Sequence, residues 1–263
     1  MLWIVQKNLY TENMRGNLFH ALDRMGVDYL AVEVEKNTIT PDILDDSVPI
    51  ITNGSIMLSN IARARGWTPG SMLNDNYSYD VWSDQYKDLL LNKNAKISTL
   101  KDAVVTTDQV FARPILDNKT FNGKLFTRAE FLQFQADSLN SKAGRPKPDT
   151  QILISQPKKI GQEHRHYIVD GEVVTSSRYK LAGQPNFSEG CDQAVINVVN
   201  EAIKIWTPSQ AFVLDTYISG DEIGIVEIGC ICHAGLYEAN IMKLVNALDS
   251  MEIISTERKK LKP

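Results

Sequence analysis

The strongest local constraint in this chain is Val169-Asp170-Gly171-Glu172, an Asp-Gly pair between two runs of strand-forming residues at 164–169 and 172–177. A two-residue Asp-Gly loop adopts the φ > 0 geometry whose twist matches two antiparallel strands, so this stretch reads as a tight hairpin. Further strand signals crowd around it at 151–155, 211–218 and 224–228, interrupted by a helix from about Asp192 to Trp206. Earlier, Val110-Phe111-Ala112-Arg113-Pro114 and Lys124-Leu125-Phe126 flank a polar, Gly-bearing turn and predict a second hairpin. A helix over 128–139 and a Gly/Pro loop over 141–149 follow it. The second half is therefore expected to be mostly antiparallel.

The first third has a different texture. A short apolar run at 2–6 is followed by Leu18, Ala21, Leu22 and Met25 at helical spacing, with Gly26 where a C-cap belongs. A second strand at 28–34 completes a parallel crossover unit. A third strand at 48–52 runs through Asn53-Gly54-Ser55 into a helix over 56–65. Tyr79, Trp82 and Tyr86 then recur at three and four, a stripe best read as a packing face. A nucleic-acid platform would interleave basic residues, and this segment has only Lys87. The expected organisation is an N-terminal α/β domain over 1–95, a central unit over 96–160 and a C-terminal unit over 161–263.

Composition excludes several classes. Of 263 residues, 43% are hydrophobic and 23% charged, which excludes a disordered or fibrous chain. A net charge of −4 predicts no global attraction to RNA or anionic membrane. The three cysteines are an odd number, with Cys230 and Cys232 too close for an ordinary mutual disulfide, so a reducing, cytoplasmic setting fits. No signal-peptide core or 18-residue apolar span occurs, so no membrane partner is expected.

Three groups of residues carry candidate chemistry. Asp215 and Glu227 each sit inside an apolar strand, and a hairpin turn near Ser219-Gly220-Asp221-Glu222 would set them side by side. Two adjacent carboxylates repel unless a cation lies between them, which suggests magnesium; ordinary edge positions or arginine partners are the alternative. Arg165 and Arg178 stand on two strands of one hairpin, suited to a phosphate or carboxylate, or to a surface salt-bridge ladder. Arg113 and Lys119, near a Gly-bearing turn, suit a polyphosphate, although neither a Walker loop nor a dinucleotide fingerprint is present. A zinc site at Cys230, Cys232 and His233 lacks a clear fourth ligand.

In order along the chain stand Phe111–Pro114, Lys119–Gly123, Glu163–Gly171, Ser177–Tyr179, Leu214–Tyr217, Val226–Ile228 and Gly235–Tyr237. This succession resembles the ATP-grasp superfamily of ATP-dependent carboxylate–amine ligases, and in detail a clade of small phage and bacterial members. The likeness spans nearly the whole chain, including Gly54-Ser55 and Trp67-Thr68-Pro69-Gly70. It implies a pre-ATP-grasp α/β domain followed by an ATP-grasp fold that holds ATP between two mostly antiparallel sheets. It further implies that Arg113 and Lys119 contact phosphates and that Ile154, Ser155 and Gln156 form the strand meeting adenine. Glu163 would join the nucleotide site, Arg165 and Arg178 would hold phosphates or an acyl phosphate, and Asp215 and Glu227 would bind magnesium.

One departure stands out: Gly229 occupies the place where the family usually carries a metal-ligating Asn. The expected activity is ATP- and magnesium-dependent carboxylate–amine ligation on an amino acid, peptide or protein terminus. Phosphoryl transfer or ligation on another acceptor, such as an RNA end, and an inactive nucleotide-binding module are the alternatives.

Overall fold

The computed structural model describes residues 1–9, 12–43, 47–116, 120–140 and 146–253. Residues 117–119, which include Lys119, part of the loop at 141–149 and the basic tail lie outside the described residues. The first sheet contains β1 (Leu2–Gln6), β2 (Tyr29–Glu35), β3 (Thr38–Thr40), β4 (Ile50–Asn53) and β5 (Pro69–Gly70), in the order β3-β2-β1-β4-β5. β1 runs parallel to β2 and β4, and α1 (Glu12–Met25) makes the first crossover. α2 (Ile56–Arg65) follows β4; its first turn is closed by the Ser55 side chain accepting from the Leu58 N–H. Its end is set by Gly66 at φ 70°, a left-handed cap that only glycine adopts without strain. The short edge strands β3 and β5 have no period-two pattern long enough to announce them.

After α3 (Tyr79–Tyr86), a four-stranded sheet forms from β6 (Lys96–Thr99), β7 (Gln109–Pro114), β8 (Lys124–Thr127) and β9 (Gln151–Ser155), ordered β6-β9-β7-β8 with antiparallel neighbours. α4 (Arg128–Asn140) covers it by burying Phe131 with Phe126, Ile152 and Leu100. The third sheet is also antiparallel. It comprises β10 (Gln162–Val169), β11 (Glu172–Leu181), β12 (Gln184–Glu189), β13 (Ala211–Ser219) and β14 (Glu222–Cys230), ordered β12-β11-β10-β13-β14. Asp170 and Gly171, both at positive φ, make the expected hairpin turn. Ala182 and Gly183 repeat that geometry at the next turn, where the sequence shows no Asn-Gly or Asp-Gly pair, and so β12 escapes a sequence reading.

α5 (Gln193–Ile205) lays Val195, Val199 and Ala202 on this sheet, and α6 (Ile241–Asp249) buries Leu244, Val245 and Leu248. One apolar core runs from Trp3 and Leu22 through Tyr77, Trp82 and Tyr86 to Phe212, Ile228 and Leu248. The aromatic stripe of α3 is therefore a packing face, with the Tyr86 hydroxyl donating to the Trp206 carbonyl at 3.0 Å. The mixed α/β and α+β architecture matches the expected class. Where β14 passes the segment after α3, the Leu91 N–H donates to the Ile225 carbonyl at 2.8 Å, a contact possible because residue 224 is glycine.

Candidate active site

A cleft of about 680 Å³ opens between the β7–β8–β9 side and the face of β10, β11, β13 and β14, a volume typical of small-molecule sites. Phe111, Arg113, Lys124 and Leu125 line one wall, and Glu163, Arg165, Tyr179, Lys180, Asp215 and Glu227 line the other. Strand register builds the second wall. Arg165 lies opposite Asp215, and Asp215 lies opposite Glu227, so three functional side chains form one row across β10, β13 and β14.

Arg165 grips Asp215 as a fork, with Nε and Nη2 donating to Oδ1 and Oδ2 at 2.8 Å each. Arg113 reaches across the cleft from β7 and donates Nη1 to Glu227 Oε2 at 2.6 Å. Asp215 is 1% exposed. Burial pushes its carboxyl above the usual range, the Arg165 guanidinium opposes that rise, and the neighbouring Glu227 charge adds to it. Burial works against the Arg165 charge too, but Asp215 outweighs it and keeps the guanidinium protonated.

Further along β10, Glu163 accepts from the Tyr179 hydroxyl at 2.8 Å and from Lys180 Nζ at 3.1 Å. Both partners reach it because the ladder is irregular here: Glu163 pairs with Lys180 and His164 with Arg178, leaving Tyr179 as the extra residue. A bulge of this kind re-aims side chains beside a site. It also separates Arg178 from Arg165. Arg178 falls opposite His164 and lowers the pKa of that buried imidazole, adding to the larger effect of burial. Its Nε is buried without a hydrogen-bond partner among the described residues. The expectation that both arginines face one ligand fails here, because one inserted residue changes the face of everything beyond it.

Residues 54–248, well over half the chain, match the model of an ATP-grasp domain family, the third family of its clade. The chain belongs to the ATP-grasp superfamily. Solved structures agree on the fold. D-alanine–D-alanine ligase from Bacillus anthracis superposes with a TM-score of 0.58 at 11% identity, over 95% of this chain and 93% of that one. A RimK domain ATP-grasp protein from Sphaerobacter thermophilus gives 0.62 at 13% identity, over 89% and 92%. The ligase PsnB, in complex with a precursor peptide and AMPPNP, gives 0.56 at 10% identity, over 94% and 96%. No curated protein sequence matches the chain.

The ATP-grasp cleft gathers Arg113, Gln156, Glu163, Arg165, Asp215 and Glu227. Ile154 instead points into the core beneath β9, 7% exposed, and Ser155 Oγ donates to Asn92 Oδ1 at 2.9 Å. Lys180, Lys124, Lys158, Tyr179 and Tyr237 also line the cleft, and sequence reasoning assigned a role to none of them. The two tyrosines stand inside the ordered motifs, which was the available signal; Lys180 needed the bulge to be seen. Cys230 and Cys232 are buried, with Cys230 Sγ donating to the Ser71 carbonyl at 2.8 Å. Among the described residues no cluster of three metal-ligating side chains occurs, at the cysteines or elsewhere.

Magnesium carried by a nucleotide needs only one or two protein carboxylates, because phosphates and water fill the remaining positions. Asp215 and Glu227 fit that requirement as paired hard oxygen donors on one wall, each raising the cost of the other's charge. Gly229 contributes no ligand. It lies opposite Val213, and a Cβ there would meet Val213 Cγ2 at 3.3 Å.

Proposed function

We propose that the protein is an ATP- and magnesium-dependent ligase that joins a carboxylate to an amine through an acyl phosphate. The observation that carries this reading is the Arg165–Asp215–Glu227 row facing Arg113 across the cleft. Arg113, Lys124, Lys158, Arg165 and Lys180 outnumber Glu163, Asp215 and Glu227 along its walls, the balance wanted for a triphosphate and an acid. Gln156 lies at the end of β9 among Phe111, Leu125 and Val226, an apolar neighbourhood suited to adenine.

In this reading Asp215 and Glu227 hold magnesium. The metal bridges phosphate oxygens and offsets the charge that builds during transfer. One substrate carboxylate oxygen attacks the γ-phosphorus, the bond from the β–γ bridging oxygen to that phosphorus breaks, and ADP leaves. The amine then attacks the acyl carbon, loses a proton, and expels phosphate, a far better leaving group than oxide. Arg113 and Arg165 lie where a guanidinium neutralises the oxyanions of both steps, and Lys180 supplies a further cation. Lys119 is a phosphate contact carried by the family resemblance, as is Arg178, which in this fold acts at most through the opposite face of the sheet.

ADP release measured against a panel of carboxylates and amines, with and without magnesium, tests the reading. ADP formation that needs both co-substrates supports it; AMP formation, or phosphate transfer to an acceptor with no amine present, sinks it. A nucleotide-binding module without turnover is the second reading. It is favoured by the Arg165 fork, which engages both Asp215 oxygens, and by Gly229. ATP binding with no turnover against any acid and amine would establish that one instead.

A further inference from the structure

An aromatic ladder leads out of the cleft beside Arg165. The Tyr179 ring stacks on Tyr237 at 5.1 Å and 14°, and Tyr237 stacks on Phe187 at 5.6 Å and 15°. The Arg165 guanidinium lies 5.7 Å from the first ring centre and 5.2 Å from the second. The arrangement is held firmly at its inner end. Tyr179 is 8% exposed and donates to Glu163, and Tyr237 carries φ 49°, a left-handed conformation that a tyrosine rarely adopts. At the outer end Phe187 is 52% exposed, although both of its inner neighbours are part of the cleft wall.

A solitary exposed phenylalanine needs no explanation. Phe187 is different: it is the open rung of a stack that starts at the ion-paired centre, with one face on Tyr237 and the side chain half-accessible. It also sits on β12, the edge strand of its sheet, which pairs only with β11 among the described residues. An extended chain lying along this edge has unpaired backbone groups beside it and a ring to rest a side chain on.

We propose that Tyr179, Tyr237 and Phe187 form the subsite for the acid substrate, and that this substrate is an extended peptide. Its C-terminal carboxylate meets Arg165 and Lys180, and an aromatic side chain upstream lies on Phe187. The proposal rests on the ligase reading above. Charge sets the direction of the chain: the cations are at the inner end of the ladder, so the acid end belongs there and an amine end does not. Arg165 Nη1 makes only a long 3.5 Å contact to the Gly235 carbonyl, and so is the guanidinium nitrogen most open to a new acceptor. Length sets the spacing: ring-to-ring steps of 5.1 and 5.6 Å put the outer rung up to ~10 Å from the inner one, about three residues of extended chain at roughly 3.3 Å each.

The test is calorimetry on the full-length protein with ADP and magnesium, titrated with N-acetylated Phe-Ala-Ala, N-acetylated Ala-Ala-Ala and the C-terminal amide of the first. The phenylalanine peptide is expected to bind roughly tenfold more tightly than the alanine peptide, the scale of one well-placed aromatic contact. Amidation should abolish most of that binding, and Phe187→Ser should erase the advantage of the ring while Phe187→Trp keeps it. Equal affinities for the two peptides, an advantage that survives Phe187→Ser, or binding of neither peptide overturns the proposal, as does preferential capture of adenosine by the Phe187 ring. ATP-linked thermal stabilisation measured on the same samples separates the two claims: its loss sinks the ligase reading, whereas its presence without peptide discrimination sinks only the subsite.

Discussion

Asp215 and Glu227 face each other across two strands, but their surroundings make them unequal. Asp215 is fully enclosed with Arg165, whereas the Glu227 side chain is 36% exposed beside Arg113. Removing one member of a buried ion pair leaves the other charge stranded, at about 3–5 kcal/mol, while a partly exposed pair contributes roughly 0–1 kcal/mol. Asp215→Asn is therefore expected to lower stability severely in a urea titration. Glu227→Gln should change it by less than ~1 kcal/mol while weakening magnesium-dependent nucleotide binding. The same reasoning predicts that Arg165→Met loses both stability and function, because the Asp215 carboxylate is left buried and unpaired. If Glu227→Gln leaves nucleotide binding and its magnesium dependence intact, the carboxylate pair is not the metal site.

At the scale of the strands, β13 and β14 are matched closely enough that residue 229 has little room. A side chain there must displace Val213, so Gly229→Asn should destabilise the protein by about 1–3 kcal/mol. In a Val213→Ala background the same change should cost measurably less, and a double-mutant cycle reads the difference. A cycle with no coupling would remove Val213 as the cause. His166 ties β10 to both neighbours, through Ser176 Oγ at 2.8 Å and Thr216 Oγ1 at 2.9 Å. Burial, with a smaller push from His164, lowers its pKa from 6.5 to about 3, so the folded protein keeps it neutral. The unfolded chain takes up the proton first as pH falls, and stability is accordingly lost from about pH 6.5 down towards pH 3. The slope is about 1 kcal/mol per pH unit from this group. Urea midpoints between about pH 7 and 4.5 should fall more steeply for wild type than for His166→Gln; parallel profiles would exclude His166 as the source.

For the molecule as a whole, the cleft walls come from β7 and β8 on one side and from β10 to β14 on the other, so a ligand that touches both stabilises the folded state. At a hundred times its dissociation constant, ATP should add about 2.7 kcal/mol, seen as a melting-temperature rise of several degrees. Absence of any ATP- or ADP-linked rise, with or without magnesium, would remove the nucleotide site. What the chain's own order of residues determined was local or periodic. The Asp-Gly hairpin, the Ser55 and Gly66 ends of α2, the buried stripe of Tyr79, Trp82 and Tyr86, and the opposition of Asp215 and Glu227 all follow from turn chemistry and from strand and helix periodicity. The ordered motifs added the family. Only the tertiary structure decided which carboxylate belongs to which arginine, that Tyr179 and Lys180 share Glu163, that Arg178 turns to the far face, and that Phe187 completes a stack with Tyr237. The physical reason is that a bulge inserts one residue and inverts the faces beyond it, and its position is set by long-range pairing that leaves no period in the sequence.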